Sequence, residues 1–146
     1  MVTTANHVGL WDLVKSLEDN EPLTKHFVEQ ALQTKLEAHA DSSNSVVEFF
    51  KCGPVKLQSG ILTKIDFRFT KERPESNFLI LSITGPCVSF AQVRQRYGNL
   101  KITNIPRGRS LEEMTSHSVD LEWGRLSFGF RARNPNCLAA ISFDTH

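Results

Sequence analysis

Apolar positions at the start of the chain recur at helical spacing. A first stripe consists of Val8, Leu10, Trp11, Val14 and Leu17, and the acidic, proline-containing segment SLEDNEP ends it. A second and wider stripe runs from Leu23 to Leu36, and Asn20 is a candidate cap for it, with Pro22 tolerated in the first turn. The pattern therefore predicts helices over about 7–18 and 21–39.

The period of the pattern changes from helix to strand after the polar segment ADSSNS. In ILTKIDFRF, apolar and polar residues alternate from Ile61 to Phe69, so one face of this strand meets solvent. The segment NFLILSIT has apolar residues at both odd and even positions, as expected for a central strand that is covered on both faces. The pattern predicts strands within 46–52, 55–70, 77–84 and 100–104.

A short helix is predicted over 89–97 from its capping residues. Ser89 and Gln92 have the spacing of a capping box, and Gly98 can end the helix.

The segment VDLEWGRLSFGFRARNPNCLAAISFD predicts three strands, within 119–123, 126–132 and 137–143. A two-residue turn at Gly124-Arg125 pairs Leu121 with Phe128. A four-residue loop over 133–136 then pairs Phe128 with Ile141. Because both registers place apolar residues on the same face, we expect the three strands to pair in this way.

These elements together indicate a single α+β domain over 1–146. We expect an N-terminal helical pair packed on a mainly antiparallel, curved sheet of about six strands, with one further short helix. A chain of 146 residues can bury most of its apolar surface without disulfides or metals.

The same registers predict an outer sheet face with a floor of small residues. This floor consists of Ser127, Gly129, Ala140 and Ser142. Its rim consists of Asp120, Glu122, Arg131 and Leu138. A glycine inside a strand often marks the close approach of another group. The sequence leaves open whether the chain's own helices or loops cover this face, or whether a partner docks on it.

The charge and the cysteine content of the chain argue against several classes of protein. The formal net charge is +1, which argues against a large nucleic-acid or anionic-membrane footprint. No segment reaches the length of a membrane span and no signal peptide is apparent, so we expect a cytoplasmic protein. Cys52, Cys87 and Cys137 are odd in number and widely spaced, so we expect reduced thiols and neither a disulfide framework nor a zinc site.

No catalytic or cofactor signature is present in the sequence. His117 and Asp120 lie close in the chain, but no serine or cysteine elbow accompanies them. The paired acids Glu112 and Glu113 are better explained as solvated residues than as general acids. We therefore expect no enzyme activity, no cofactor and no metal.

The helical start, the antiparallel sheet and the closing LEWGRLSFGFRARNPNCLAAISF resemble the small cytoplasmic immunity proteins that bacteria encode beside polymorphic or type VI secreted toxins. The resemblance is one of organisation and spans most of the chain. It implies a non-catalytic protein that binds one cognate toxin tightly and blocks or distorts its active site. It carries over no individual functional residue.

A toxin-binding role requires a rigid face with mixed charge. The candidate partner-binding residues are Glu112, Glu113, Asp120, Glu122, Arg125 and Arg131. The partner would then be a toxin domain, with no nucleic acid and no membrane involved.

Two alternatives remain open. One is a small-ligand-binding or enzymatic domain whose pocket, between the helices and the sheet, is lined by Trp11, Phe27, Phe67 and Phe128. The other is an RNA-binding module that uses Tyr97 and the basic residues Arg94, Arg96, Lys101, Arg107 and Arg109.

Overall fold

Three α-helices and nine strands are defined in the computed structural model, which describes residues 3–4, 8–39 and 43–145. The helices are α1 (Leu10–Asp19), α2 (Lys25–Leu32) and α3 (Phe90–Arg96). The strands are β1 (Thr3–Thr4), β2 (Glu37–Ala38), β3 (Val47–Lys56), β4 (Leu62–Thr70), β5 (Asn77–Thr84), β6 (Lys101–Asn104), β7 (Met114–Leu121), β8 (Gly124–Arg131) and β9 (Leu138–Asp144).

The strands form one sheet in the order β1-β3-β4-β5-β9-β8-β7-β6, and β2 pairs with the outer edge of β3. All pairs are antiparallel except the two-residue pairing of β1 with β3. The fold is α+β, as predicted. The row has eight strands rather than about six, and the predicted curvature is not evident in the part of the chain that the structure describes. Strands as short as β1 and β2 carry no periodic pattern, which is why the sequence did not indicate them.

The helices cover one face of the sheet. The ring of Trp11 in α1 lies 6.1 Å from that of Phe128, and Phe90 in α3 lies 5.4 Å from Phe130. The inward rows of the sheet, such as Phe67, Leu79 and Phe143, are completely buried. The hydrophobic core therefore lies between the helices and this inward face.

The second helix is much shorter than the predicted 21–39. Thr24 caps it by accepting a hydrogen bond from the Phe27 amide, 3.1 Å away, and Gln33 ends it in a left-handed conformation. Asn20 instead donates its side-chain amide to the Ser16 carbonyl at the end of α1, so it does not cap α2. For α1, the predicted start at residue 7 lies outside the described residues.

The capping box predicted for α3 is confirmed. The Gln92 amide donates to Ser89 Oγ over 3.2 Å, and the Ser89 amide donates to Gln92 Oε1 over 2.8 Å.

The first C-terminal hairpin turns two residues earlier than predicted, so the partner of each β7 residue differs by four positions. The turn is at Glu122-Trp123, so Leu121 pairs with Gly124. Gly124 has a φ of +152°, and a Cβ there would overlap the Asp144 carbonyl oxygen. Side chains alternate between the two faces of a strand, and the turn is displaced by an even number of residues. The strand side chains therefore still lie on the predicted faces.

The predicted register of the second hairpin is confirmed over most of its length. Phe128 pairs with Ile141, and Ser127 pairs with Ser142. A bulge after Gly129 then pairs Phe130 with Leu138. As a result Leu138, which was expected at the rim of the outer face, is buried in the core.

The expectation of reduced cysteines is contradicted for two of the three. Cys87 and Cys137 form a disulfide with a Cα–Cα separation of 5.1 Å, within the usual range. The two residues are 50 positions apart in the chain, but the pairing of β5 with β9 brings their segments together. Cys52 is free.

The strained conformation of Gly124 can be tested by substitution. Gly124→Ala should lower the free energy of unfolding by about 2 kcal/mol or more, because the added methyl group meets the Asp144 backbone. Gly98→Ala is the matched control, since nothing lies within 4 Å of its Cβ position. Urea unfolding of both variants measures the difference. Equal losses would contradict this role for Gly124.

Burial of Glu21 predicts a pH-dependent stability. Desolvation raises the pKa of its carboxyl from 4.5 to about 7, although the Leu23 amide donates to Oε1. The unfolded chain therefore loses this proton first, and the free energy of unfolding falls as pH rises between these values. Glu21→Gln should be more stable than the natural chain by roughly 1–2 kcal/mol at about pH 8, after allowance for solvent screening, and no more stable at about pH 5. Urea unfolding at both pH values measures this difference, and a pH-independent one would contradict it.

Candidate protein-binding face

The face of the sheet opposite the helices is here called the open face. Within residues 8–39 and 43–145, the ring contacts of the helices fall on inward residues, and no helix packs against the open face. Most of its outward side chains are half-buried, as on a sheet surface that meets solvent. The described helices therefore leave this face uncovered.

Small residues form the centre of the open face, as predicted. Ser82 of β5 pairs with Ala140, which pairs with Gly129. A Cβ on Gly129 would lie 2.7 Å from Met114 Sδ, so the glycine makes room for this side chain of the neighbouring strand. The predicted close approach at Gly129 is therefore made by the chain itself, whereas the nearby Ser82, Ser127, Ala140 and Ser142 remain half-buried.

A chain of hydroxyl groups crosses three neighbouring strands beside this centre. Ser118 Oγ lies 2.7 Å from Thr103 Oγ1 and 2.7 Å from Ser127 Oγ. Ser118 is fully buried, so these contacts satisfy its hydroxyl. The hydroxyl chain fixes the orientation of the polar groups on this part of the face.

One end of the open face carries the Asp120 cluster, which consists of Lys101, Asp120 and Arg125. Lys101 Nζ lies 2.7 Å from one carboxylate oxygen and Arg125 Nε lies 2.8 Å from the other. Hydrogen bonds from Arg125 and Lys101 hold the pKa of Asp120 well below its usual value. Glu122 is exposed in the adjoining turn, and an open cleft of about 580 Å³ lies between this turn and the end of β9.

The opposite end carries the Glu112 cluster, which consists of Glu112, Arg131 and Arg133. Glu112 binds Arg131 Nε at 3.1 Å and Arg133 Nε at 2.6 Å. The hydrogen bond from Arg133 lowers the pKa of Glu112. These side chains line a cleft of about 350 Å³, called here the Glu112 cleft, whose wall also contains Cys87 and Cys137.

Glu113 has a different role from its neighbour. Its carboxylate accepts hydrogen bonds from the backbone amides of Arg107, Arg109 and Ser110, at 3.2, 2.7 and 3.1 Å. These bonds lower its pKa. The carboxylate is bound by the loop's own amides and orders the segment before β7.

The predicted partner-binding residues thus divide into separate groups. Asp120 pairs with Arg125 near one end of the β7–β8 hairpin, and Met114 pairs with Arg131 near the other. Because a strand rises about 3.3 Å per residue, the two clusters are about 20 Å apart.

A third cluster on the open face was not predicted. It is called the Arg68 cluster and consists of Phe49, Asp66, Arg68 and Phe78. The Arg68 guanidinium carbon lies 4.9 Å from the centre of the Phe49 ring and 5.3 Å from that of Phe78. Its Nη2 lies 3.2 Å from Asp66 Oδ2. The sequence shows these aromatic residues, but their convergence on Arg68 depends on the registers of β3, β4 and β5.

Two of the residues expected to line a pocket between helices and sheet are part of the core. Phe67 and Phe128 are completely buried. Trp11 packs on Phe128, and Tyr97 lies 5.1 Å from the same ring. Trp11 also lines an open cleft of about 420 Å³ between α1, α3 and the segment that follows β3.

In the part of the chain that the structure describes, Tyr97 and His117 are placed differently from two arrangements that the sequence suggested. The Tyr97 hydroxyl donates to Glu18 over 2.8 Å, and its ring packs into the core, so it is not displayed for stacking on a base. His117 faces inward, where it lies 4.5 Å from Phe90, while Asp120 lies on the open face. His117 and Asp120 therefore do not form a pair.

No protein-family model, curated protein or solved structure matches the chain. Among the described residues, no helix has both the length and the apolar character needed to cross a bilayer. In the same residues, no group of His, Cys, Asp and Glu side chains is arranged to hold a metal ion.

The different roles of the two neighbouring acids can be tested by hydrogen exchange. Glu113→Ala should speed exchange at the Arg107, Arg109 and Ser110 amides at least several-fold, because it removes their acceptor. Glu112→Ala is the matched control and should leave these amides unchanged. Equal effects of the two substitutions would show that Glu113 does not order this loop.

Proposed function

We propose that the protein neutralises a cognate bacterial toxin by tight, non-catalytic association through its open face. The proposal depends on one observation, that the helices cover only one of the two faces of the sheet. The helices bury the inward face, while the outward face holds small residues between fixed charged clusters. This arrangement supports the resemblance to immunity proteins that the sequence indicates.

The size of the open face supports a role in protein binding. From β3 to β7 it crosses five inter-strand spacings of about 4.8 Å, which gives a width of about 24 Å. Its other dimension, between the Asp120 and Glu112 clusters, is about 20 Å. These dimensions accommodate the central part of a standard interface, which buries about 800 Å² on each partner.

The Arg68 cluster has the composition of an interface hot spot. Arginine and aromatic residues are enriched in protein interfaces, and their loss often costs about 2 kcal/mol or more of binding free energy. Arg68 is held between two rings before any partner arrives. A rigid side chain of this kind loses little conformational entropy on binding.

The two charged clusters supply specificity rather than a general attraction for one sign of charge. Asp120 lies between two cations, and Glu112 lies between two arginines. A partner must match this alternation, because like charges placed opposite each other are unfavourable. The near-zero net charge of the chain is consistent with such a partner.

The proposal is tested by growth rescue and by calorimetry with the toxin domain encoded beside the gene for this chain. The natural chain should restore growth and bind the domain tightly. Ser142→Trp places a large side chain at the centre of the open face and should weaken binding by roughly 30-fold or more.

Gln30→Trp is the matched control, since it adds the same side chain to an exposed position of α2. It should bind and protect like the natural chain. If Ser142→Trp also retained full affinity and protection, the open face would not be the contact surface. If the natural chain neither bound nor protected, toxin neutralisation itself would be wrong.

A further inference from the structure

We propose that the oxidised Cys87–Cys137 pair is the working state of the protein, and that reduction of this bond loosens the end of the molecule that forms the Glu112 cleft. The inference goes beyond toxin neutralisation, because it concerns the redox environment in which the free protein keeps its structure.

The disulfide joins two segments at one end of the molecule. Cys87 lies between β5 and α3, and Cys137 directly precedes β9. Beside the disulfide, the Leu138 amide donates to the Val88 carbonyl over 2.8 Å, and the Phe90 amide donates to the Asn136 carbonyl over 3.3 Å. Breaking the S–S bond removes the covalent tie between the segments and leaves these backbone contacts and the packing of Phe90 on Phe130 to hold the start of α3.

The same bond forms part of the wall of the Glu112 cleft. Arg133 and Asn134 of the loop before Cys137 line this cleft, as do Gly85 and Pro86 of the loop before Cys87. Both loops are therefore tied at their ends by one covalent bond. Cys87 is exposed, so a dissolved reductant can reach the disulfide.

The cysteine arrangement also bears on the compartment. Disulfides persist in oxidising compartments and are rare in the bacterial cytoplasm, where thiols are kept reduced. The sequence predicted a cytoplasmic location because no signal peptide or membrane span is apparent, and the Cys87–Cys137 bond does not fit the reduced thiols expected there. Cys52 is an internal control, because it lies apart from the pair, with its Sγ 3.4 Å from Thr34 Oγ1.

The redox state is measured by thiol alkylation of the full chain. The chain is exported to the bacterial periplasm, purified without reductant, unfolded and treated with iodoacetamide before mass spectrometry. We expect alkylation of Cys52 alone among the three cysteines and a linked peptide pair containing Cys87 and Cys137. Alkylation of all three, or a linked peptide containing Cys52, would overturn the assignment.

The structural effect is measured by treating the oxidised chain with dithiothreitol. This dithiol supplies two electrons and two protons to the Cys87–Cys137 bond and closes into its own cyclic disulfide. Since the bond closes a loop with a separation of 50 residues, reduction should lower the Tm by about 10 °C. It should also speed hydrogen exchange at the Leu138 and Phe90 amides, whose hydrogen bonds lie beside the disulfide.

Two variants separate this effect from a general action of the reductant. Cys52→Ser should keep the full response to dithiothreitol. The double variant Cys87→Ser/Cys137→Ser should have the lower Tm from the start and should not respond. If reduction changed neither the Tm nor these exchange rates in the natural chain, the proposal would be wrong. Because all readouts use the free protein, that failure is distinct from a failure to bind a toxin.

Discussion

The pairing of β5 with β9 is the constraint on which the rest of the structure depends. It joins the β3–β4–β5 meander to the strands of the C-terminal half. Two inward pairs, Leu79 with Phe143 and Leu81 with Ile141, are buried at this junction. Because side chains alternate along a strand, burial of these pairs fixes which residues face outward on both halves. The open face and the meeting of Cys87 with Cys137 both follow from this pairing.

The features that local signals determine could be predicted from the sequence. The bounds of β5 follow from one continuous apolar run, and the start of α3 follows from Ser89 and Gln92. Features that depend on distant contacts could not be predicted in this way. Gly124 is required by the backbone of Asp144, which lies 20 positions further along the chain, so the sequence alone did not distinguish a turn at Glu122-Trp123 from one at Gly124-Arg125. The disulfide likewise depends on tertiary contacts, whereas the bounds of α2 depend on the Thr24 cap and the left-handed Gln33.

Only part of the candidate site could likewise be predicted from the sequence. Asp120 was placed on the correct face in spite of the wrong turn, since the error was an even number of residues, whereas Arg125 was expected in the turn and lies in β8 opposite Asp120. The role of Glu113 was not predictable, because three loop amides that converge on one carboxylate leave no periodic pattern. Arg68 was missed because its two aromatic neighbours belong to other strands.

The proposed selectivity of the open face for one partner depends on its arrangement of charge. Each carboxylate at its two ends is already bound by two cations of the same chain, so the side chains keep their positions without a partner. Individual surface ion pairs of this kind add little to stability. Their effect is to present a fixed pattern, which lowers the entropic cost of binding a matching surface and penalises a mismatched one. The disulfide lies at the Glu112 end of the open face, so we expect the redox environment to affect that end. The positions of the Asp120 and Arg68 clusters depend on strand pairing within the sheet.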